Sequence, residues 1–285
     1  MKPDPKFLNL PKDFWAHIRL ISQEVGYTVR GQERIKVPSV EEIRETFTKL
    51  SLDSQHLFDQ KGNTTEYGNL VCGYFAHRAR MLEKSVEPLL MTAEQAREVF
   101  DELQRKVHPK CPIPLNKQSG SKKTPAFFTG IINMLVEANA KQIPCDYDPR
   151  VLTTVTHKGR PVRTLARRID GAFPSAINPV AVWEIKEYYY TTTFGSRVAD
   201  GVYESLLDGM ELEELRVNEG FDVKHYLMID AHYTWWVCGR SYLCRIVDVL
   251  HMGYVDEVLF GQEVLKRLPR LVRGWITALK NRQKL

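Results

Sequence analysis

Four short stretches of the chain place an acidic residue two positions before a lysine. They are Asp4-Pro5-Lys6, Asp59-Gln60-Lys61, Glu184-Ile185-Lys186 and Asp222-Val223-Lys224. In a β-strand, residues two apart project from the same face, roughly 6–7 Å apart along the strand. A carboxylate and an ammonium group presented together can bind a divalent cation and stabilise the charge that develops on a phosphate during hydrolysis.

The stretch around Glu184 lies in the most β-prone part of the chain, residues 179–190. Glu184 and Lys186 are therefore expected to share one face of a strand, while Trp183 and Ile185 point into apolar packing. Charges placed in an apolar strand need a reason, because burying them without partners is costly. An ordinary surface salt bridge between Glu184 and Lys186 is the alternative interpretation.

A second carboxylate, Asp170, precedes Glu184 by fourteen positions. We expect Asp170 to end the preceding strand, with Gly171 allowing the chain to turn there. If the two strands are neighbours, Asp170 lies beside Glu184. Two carboxylates this close repel each other unless a cation sits between them, and Mg²⁺ is the natural occupant because it prefers oxygen ligands.

The main rival is Asp222-Val223-Lys224, which has Asp208 at the same upstream distance. Asp208 is predicted to lie within a helix, and Lys224 is predicted to stand before its strand begins. The other two stretches fall in an unstructured end and a polar loop. The sequence therefore favours Asp170, Glu184 and Lys186.

The elements around these residues predict an α/β fold. From residue 124 the patterns indicate a helix (124–140), two strands joined at Lys158-Gly159-Arg160 (151–156 and 162–169), the strand 179–190, a helix (196–215) and a strand (226–229). A basic helix at 262–280, interrupted at Pro269, is expected to follow. This order predicts a mixed β-sheet with helices on its faces.

The first part of the chain predicts mostly helices, over residues 40–47, 67–86 and 93–107. We divide the chain into a helical region at 1–107, for DNA binding or dimerisation, a basic Pro/Ser/Lys-rich loop at 108–124, and a catalytic domain at 125–285. Three tracts rich in Lys and Arg contain no acidic residue: 105–136, 150–169 and 264–285. Such tracts suit a polyanion-binding surface, although solvated charge balanced by nearby acids is an equally simple explanation.

Several classes of protein are disfavoured. No apolar run reaches the ~20 residues that span a bilayer, and no phosphate-binding glycine motif indicates a nucleotide cofactor. The five cysteines form no Cys-x-x-Cys pair, so a reducing, cytoplasmic setting is expected.

The pattern Asp170 … Glu184-Ile185-Lys186 resembles the PD-(D/E)XK nuclease superfamily, which includes most type II restriction endonucleases. The resemblance covers roughly residues 124–235, and Ile169 stands where the family often has proline. It implies a restriction-endonuclease-like fold in which Asp170, Glu184 and the Ile185 carbonyl bind Mg²⁺ and Lys186 assists the attacking water. It also implies hydrolysis of double-stranded DNA to 5′-phosphates by a prokaryotic, cytoplasmic homodimer.

The resemblance suggests further site residues. Many family members add a glutamate from the helix before the hairpin, here Glu137. Arg197 and Tyr203 occupy a helix on which the family often places phosphate-contacting side chains, and the loop residues expected to grip DNA are Lys117, Lys122 and Lys123. A structure-specific repair or mobile-element nuclease, and a catalytically silent DNA-binding protein, are the alternatives.

Overall fold

A five-stranded mixed sheet lies between two layers of helices in the computed structural model, which describes residues 1–116, 124–190 and 195–282. The strands of this part are β1 (Asp146–Tyr147), β2 (Thr154–His157), β3 (Arg160–Thr164), β4 (Gly171–Phe173), β5 (Ala181–Glu187), β6 (Lys224–Asp230) and β7 (Glu257–Phe260). The main sheet has the order β1-β4-β5-β6-β7. The predicted α/β class, with a mixed sheet and flanking helices, is confirmed.

The helices of the described part are α1 (Lys12–Val25), α2 (Val40–Lys49), α3 (Glu66–Met81), α4 (Ala93–Val107), α5 (Phe127–Asn139), α6 (Ser196–Glu219), α7 (Arg240–His251) and α8 (Glu263–Arg282). A capping box between Ser39 and Glu42 begins α2. Within the described ranges, no helix combines the length and the apolar character that crossing a bilayer requires.

The central strand β5 pairs antiparallel with β4 and parallel with β6. Its register with β6 runs from Ala181 opposite Lys224 to Glu187 opposite Asp230. Parallel neighbours need a crossover connection, and α6 provides it between β5 and β6. This arrangement makes Lys224 the first residue of β6, so the prediction that Lys224 stands before its strand is wrong.

The two faces of β5 meet different layers. Trp183 packs in a core with α5 and α8, where its ring stacks on Trp275 with the ring centroids 5.3 Å apart. Val182, on the other face, packs with Leu212 and Leu215 of α6. Because side chains alternate along a strand, Glu184 and Lys186 also face α6.

The predicted hairpin forms, but it stands apart from the main sheet. Strands β2 and β3 pair with each other as a separate two-stranded sheet, and β3 ends at Thr164. The expectation that Asp170 ends this strand is therefore wrong. Asp170 directly precedes β4, whose Gly171 pairs with Trp183. The expected proximity of Asp170 and Glu184 arises from the pairing of β4 with β5.

Gly171 is needed for a close approach rather than for a turn. A Cβ atom at this position would lie 2.1 Å from Cε2 of Trp183. The indole therefore occupies the space that a side chain would take.

The expected interruption of the last helix at Pro269 does not occur, because α8 continues through it. Proline removes one backbone hydrogen bond. The helix is held on both sides of Pro269 by its buried apolar face, formed by Leu268, Val272, Trp275 and Ile276.

The helical N-terminal region is joined to the sheet region through a buried ion pair. Arg78 of α3, which is fully buried, donates from Nη1 to both carboxylate oxygens of Asp248 on α7, at 3.1 and 3.0 Å. The hydroxyl of Tyr74 donates to the same carboxylate at 2.6 Å. Arg78, which interrupts the apolar stripe of α3, is therefore a structural residue.

Candidate active site

Asp170 and Glu184 are linked through each other's backbone. The amide of Ile185 donates to Oδ2 of Asp170 at 2.7 Å, and the amide of Asp170 donates to Oε1 of Glu184 at 3.2 Å. The N–H and C=O of one strand residue project to the same edge of the strand. The Ile185 carbonyl therefore lies on the edge of β5 where the Asp170 carboxylate stands.

Lys186 reaches across from β5 to α6. Its Nζ donates to Oε2 of Glu184 at 2.9 Å and to Oε2 of Glu204 at 2.5 Å. The stem of Lys186 lies against Gly201, where an added Cβ would be 3.5 Å from the lysine Cγ and Cδ. The two expected site residues of β5 are thus in contact with each other, and α6 adds a third carboxylate.

Arg167 is the second cation of this cluster. It stands in the segment between β3 and β4, and its Nη1 lies 3.0 Å from Oε1 of Glu184 and 2.7 Å from Oδ2 of Asp208. Its Nη2 lies 3.2 Å from Oε2 of Glu204. Three carboxylates therefore pair with two cations, and Asp170 lies beside them; the group formed by Arg167, Asp170, Glu184, Lys186, Glu204 and Asp208 is called the acidic cluster below.

Burial and neighbouring charges shift the pKa values of Asp170, Glu184 and Lys186. Burial, with the nearby Glu184 carboxylate, raises the pKa of Asp170 to about 7. Burial would also raise the pKa of Glu184, but Lys186 and Arg167 outweigh it and lower that pKa. The pKa of Lys186 is raised, because Glu184 and Asp170 outweigh the effect of burial. Glu184 is thus ionised and Lys186 is a cation.

Asp208 is as inaccessible to solvent as Glu184. It is fully buried, and burial raises its pKa to about 7. Its Oδ2 pairs with Arg167, whereas its Oδ1 has no hydrogen-bond partner within the part of the chain that the structure describes. An unsatisfied buried oxygen is costly, so this side of the cluster has an unused hydrogen-bond acceptor.

The chemistry of the donor set fits a hard divalent cation. Two carboxylates and a backbone carbonyl are the oxygen ligands that Mg²⁺ takes, and a cation beside Asp170 would relieve its repulsion from Glu184. In the present arrangement Arg167 and Lys186 engage both oxygens of Glu184. Among the described residues, no three His, Cys, Asp or Glu side chains are arranged as a preformed metal site.

Glu137 does not join this cluster, so the structure gives it no place among the site residues expected from the sequence. It lies in α5, which packs in the core on the other face of β5, and its Oε2 accepts from the amide of Lys110 at 2.9 Å. Thr129, at the other end of α5, donates to Glu187 of β5. Glu137 is eight residues farther along the helix, about 12 Å by helical rise.

The remaining predicted contacts are scattered. Arg197 is exposed, and its backbone carbonyl accepts from the hydroxyl of Tyr188; Tyr203 is exposed on α6. Lys117, Lys122 and Lys123 lie outside the described residues. The rival Lys224 pairs with Asp222 and Asp256 at the start of β6. These three side chains are partly exposed, unlike the buried pair of Glu184 and Lys186.

Sequence reasoning missed Arg167, Glu204 and Asp208. Glu204 and Asp208 are four residues apart, so they share the face of α6 that meets β5. That spacing was a usable signal. In the sequence, Asp208 belongs only to the rival pattern, and Arg167 is only one member of the acid-free tract 150–169.

Comparison with known families divides the chain into two parts. Residues 91–275 match a family described as a domain of unknown function (DUF7687), and residues 1–85 match another domain of unknown function (DUF7690). The two matches meet between α3 and α4. No curated protein and no solved structure matches the chain.

Proposed function

The chain belongs to the family described as a domain of unknown function (DUF7687), and from the geometry of its acidic cluster we propose that it is a Mg²⁺-dependent DNA endonuclease. The proposed fold relationship is to restriction endonucleases of the PD-(D/E)XK type. The proposed substrate is double-stranded DNA, cut to leave 5′-phosphates. The sequence-specific, type II form of this activity would use a homodimer in a prokaryotic cytoplasm.

The observation that carries the proposal is the reciprocal pairing of Asp170 with the Glu184–Ile185 backbone, next to the buried Lys186. Glu184 and Lys186 lie on the central strand of the sheet, and Asp170 immediately precedes the strand paired with it. A structural role would be served at lower cost by apolar side chains. Retaining four acids and two cations there is more consistent with a reaction that needs them.

In this mechanism Asp170, Glu184 and the Ile185 carbonyl would hold Mg²⁺, which when bound supplies charge stabilisation and acidifies a water molecule. The water oxygen bonds to phosphorus and gives up a proton to solvent as the P–O3′ bond breaks in line with it, and the departing O3′ takes up a proton from solvent. No covalent intermediate with the protein is formed.

The chain's own cations have separate tasks in this reaction. Because its pKa is raised, Lys186 acts as a charged group that orients the water and stabilises the phosphorane oxygens, not as a proton acceptor. Glu204 gives the ammonium a second partner, so that Lys186 can leave Glu184 without losing its ion pair. Arg167 positions Glu184 from the other side.

The test is to incubate the protein with plasmid and phage DNA in Mg²⁺ or in EDTA. Discrete Mg²⁺-dependent fragments support a site-specific enzyme. Smearing supports a nuclease that is nonspecific or that recognises DNA structure instead of sequence. Shifted but uncut DNA would establish a binding protein and refute the nuclease proposal.

Lys186→Ala should abolish cutting while binding is retained. The matched control is Lys224→Ala, which removes a lysine from the start of the neighbouring strand and should cut normally. The reverse result would move the active site to the Asp222 and Lys224 pair.

A further inference from the structure

We infer that the β2–β3 hairpin is a DNA-binding arm, which contacts the phosphate backbone of duplex DNA beside the acidic cluster. This inference rests on the proposed function, because it assigns that site's contact with its substrate. The acid-free tract 150–169 contains the whole hairpin. The hairpin takes no part in the main sheet, so its strands are free for another role.

The base of the hairpin is firmly anchored. Val155 and Leu165 are buried in a core shared with Val182 and α6. The amide of Thr156 donates to the Asn178 side chain at 2.7 Å. The arm is therefore rigid, and binding through it would require little ordering.

The chain from Arg163 to Arg167 runs along α6 and contacts three of its acids in turn. Arg163 pairs with Glu214 at 2.7 Å, the amide of Ala166 donates to Glu211 at 3.0 Å, and Arg167 pairs with Asp208. The two arginines offset charges that would otherwise repel a polyanion. They also fix the direction of the arm, from the acidic cluster toward the C-terminal end of α6.

The tip of the hairpin carries exposed cations that have no ion-pair partner among the described residues. Lys158, Arg160 and, nearer the cluster, Arg168 are exposed and form no ion pair within the described residues. Arg167 and Glu204 are partly exposed on the same seam between the arm and α6. The free cations and the acidic cluster are therefore presented along one line.

The spacing along this line suits a duplex. Glu204 and Glu214 are ten residues apart on α6, about 15 Å by helical rise. From Arg163, which pairs with Glu214, to Arg160 is a further 10 Å of strand, about three residues at 3.3 Å each. Added end to end, the two lengths come to about 25 Å, the length of about seven base pairs at 3.4 Å each.

The turn itself indicates a functional requirement for lysine. Lys158 and Gly159 both have positive φ, 50° and 77°, as the central residues of a two-residue hairpin turn require. Asn or Gly is the favoured residue at the first of these positions, and a lysine there is strained. Lys158 therefore places a cation at the tip where an uncharged residue would give a more stable turn.

The test uses the double variant Lys158→Asn/Arg160→Gln. Asparagine suits the left-handed turn, so the variant should fold with an unchanged or higher melting temperature. Binding of a labelled 30-base-pair duplex is measured in EDTA at several salt concentrations. We expect about 10- to 100-fold weaker binding at 0.1 M salt, and a salt dependence smaller by about two phosphate contacts.

The charge-matched control is Lys141→Asn/Arg216→Gln, which makes the same changes at exposed positions outside the arm, the N-terminal region and the acid-free tracts. It should bind DNA nearly as wild type does. Equal losses in both variants would show an effect of net charge and would overturn the inference. So would wild-type binding by the tip variant, or no binding of DNA by the wild-type protein.

The outcome for the arm is distinguishable from the outcome for the nuclease. Cutting by the wild-type protein together with unchanged binding by the tip variant would refute the arm and leave the nuclease proposal intact. Weaker binding by the tip variant, with no cutting by wild type in Mg²⁺, would refute the nuclease and support the arm.

Discussion

Lys186 and Glu204 form an ion pair in which Nζ and Oε2 are 2.5 Å apart, and this pair joins β5 to α6. In Glu204→Gln the ammonium would depend on Glu184 alone and would compete more strongly with a metal for that carboxylate. We expect the Mg²⁺ concentration for half-maximal cutting to rise about tenfold, which corresponds to ~1.4 kcal/mol. A Mg²⁺ titration of cleavage rate measures this.

The control is Glu219→Gln, at the exposed end of the same helix. It should leave the Mg²⁺ requirement unchanged. An unaltered requirement in Glu204→Gln would mean that Glu204 has no part in releasing Glu184.

Gly171→Ala should destabilise the protein by about 1–3 kcal/mol, because the new methyl group overlaps the Trp183 indole and forces β4 away from β5. The displacement also moves Asp170, so cleavage should fall more than stability alone explains. Urea unfolding and the cleavage rate under folded conditions measure the two effects.

Gly73→Ala is the matched control, since Gly73 lies inside α3 with no neighbour within 4 Å of the added Cβ. Alanine there should stabilise the protein by about 0.5–1 kcal/mol. If both variants lose stability equally, the contact with Trp183 is not the reason for Gly171.

Arg78→Leu should cost about 3–5 kcal/mol, because it leaves the Asp248 carboxylate buried without its cation. The double variant Arg78→Leu/Asp248→Leu should recover much of that loss, since no uncompensated charge remains. Thermal unfolding of the wild type, both single variants and the double variant gives the coupling between the two residues. Additive losses would contradict the ion-pair explanation.

The buried pair His77 and His251 predicts a loss of stability in acid. Their Nε2 atoms are 3.3 Å apart, and burial lowers the pKa of both rings, aided for His77 by the neighbouring His251. Below the ordinary histidine pKa of about 6.5 the unfolded chain binds protons that the folded protein does not. Stability therefore falls as the pH decreases through that value, and is recovered above it.

His77→Phe should reduce this acid loss by about 1 kcal/mol between pH 7.5 and 5.5. Phenylalanine suits the site because His77 already packs on Phe7, with ring centroids 4.9 Å apart. Unfolding in urea across this range is the measurement. His157→Phe, at an exposed position, should keep the wild-type pH dependence; an identical profile in both variants would rule out the buried pair as the cause.

Local patterns in the sequence were enough to predict the elements whose signals are short-range. Thr92 caps α4, whose observed range is the predicted one, and the turn at Lys158-Gly159-Arg160 is where the glycine indicates. The proximity of Asp170 and Glu184 was also predicted, although through the wrong strand. The hairpin has the expected local geometry, but its exclusion from the main sheet depends on packing against α6 that no local pattern expresses.

The cluster around Lys186 could be predicted only in part. The period of a strand places Glu184 and Lys186 together, but Glu204 and Asp208 reach them from a helix that crosses over the strand. Arg167 lies in an irregular segment, where periodicity gives no direction to a side chain. The sequence patterns did not predict the short strand β7 or the helix α7.

The Arg78–Asp248 pair has a consequence for the two families that meet in this chain. Each partner lies in a segment matched by a different family, and both side chains are buried where the segments meet. A chain that had only one of the two residues would bury a charge without its counter-ion, which is costly. When one segment is exchanged between related proteins, the chimera should therefore fold only if the incoming segment has the arginine or aspartate that pairs with the retained segment.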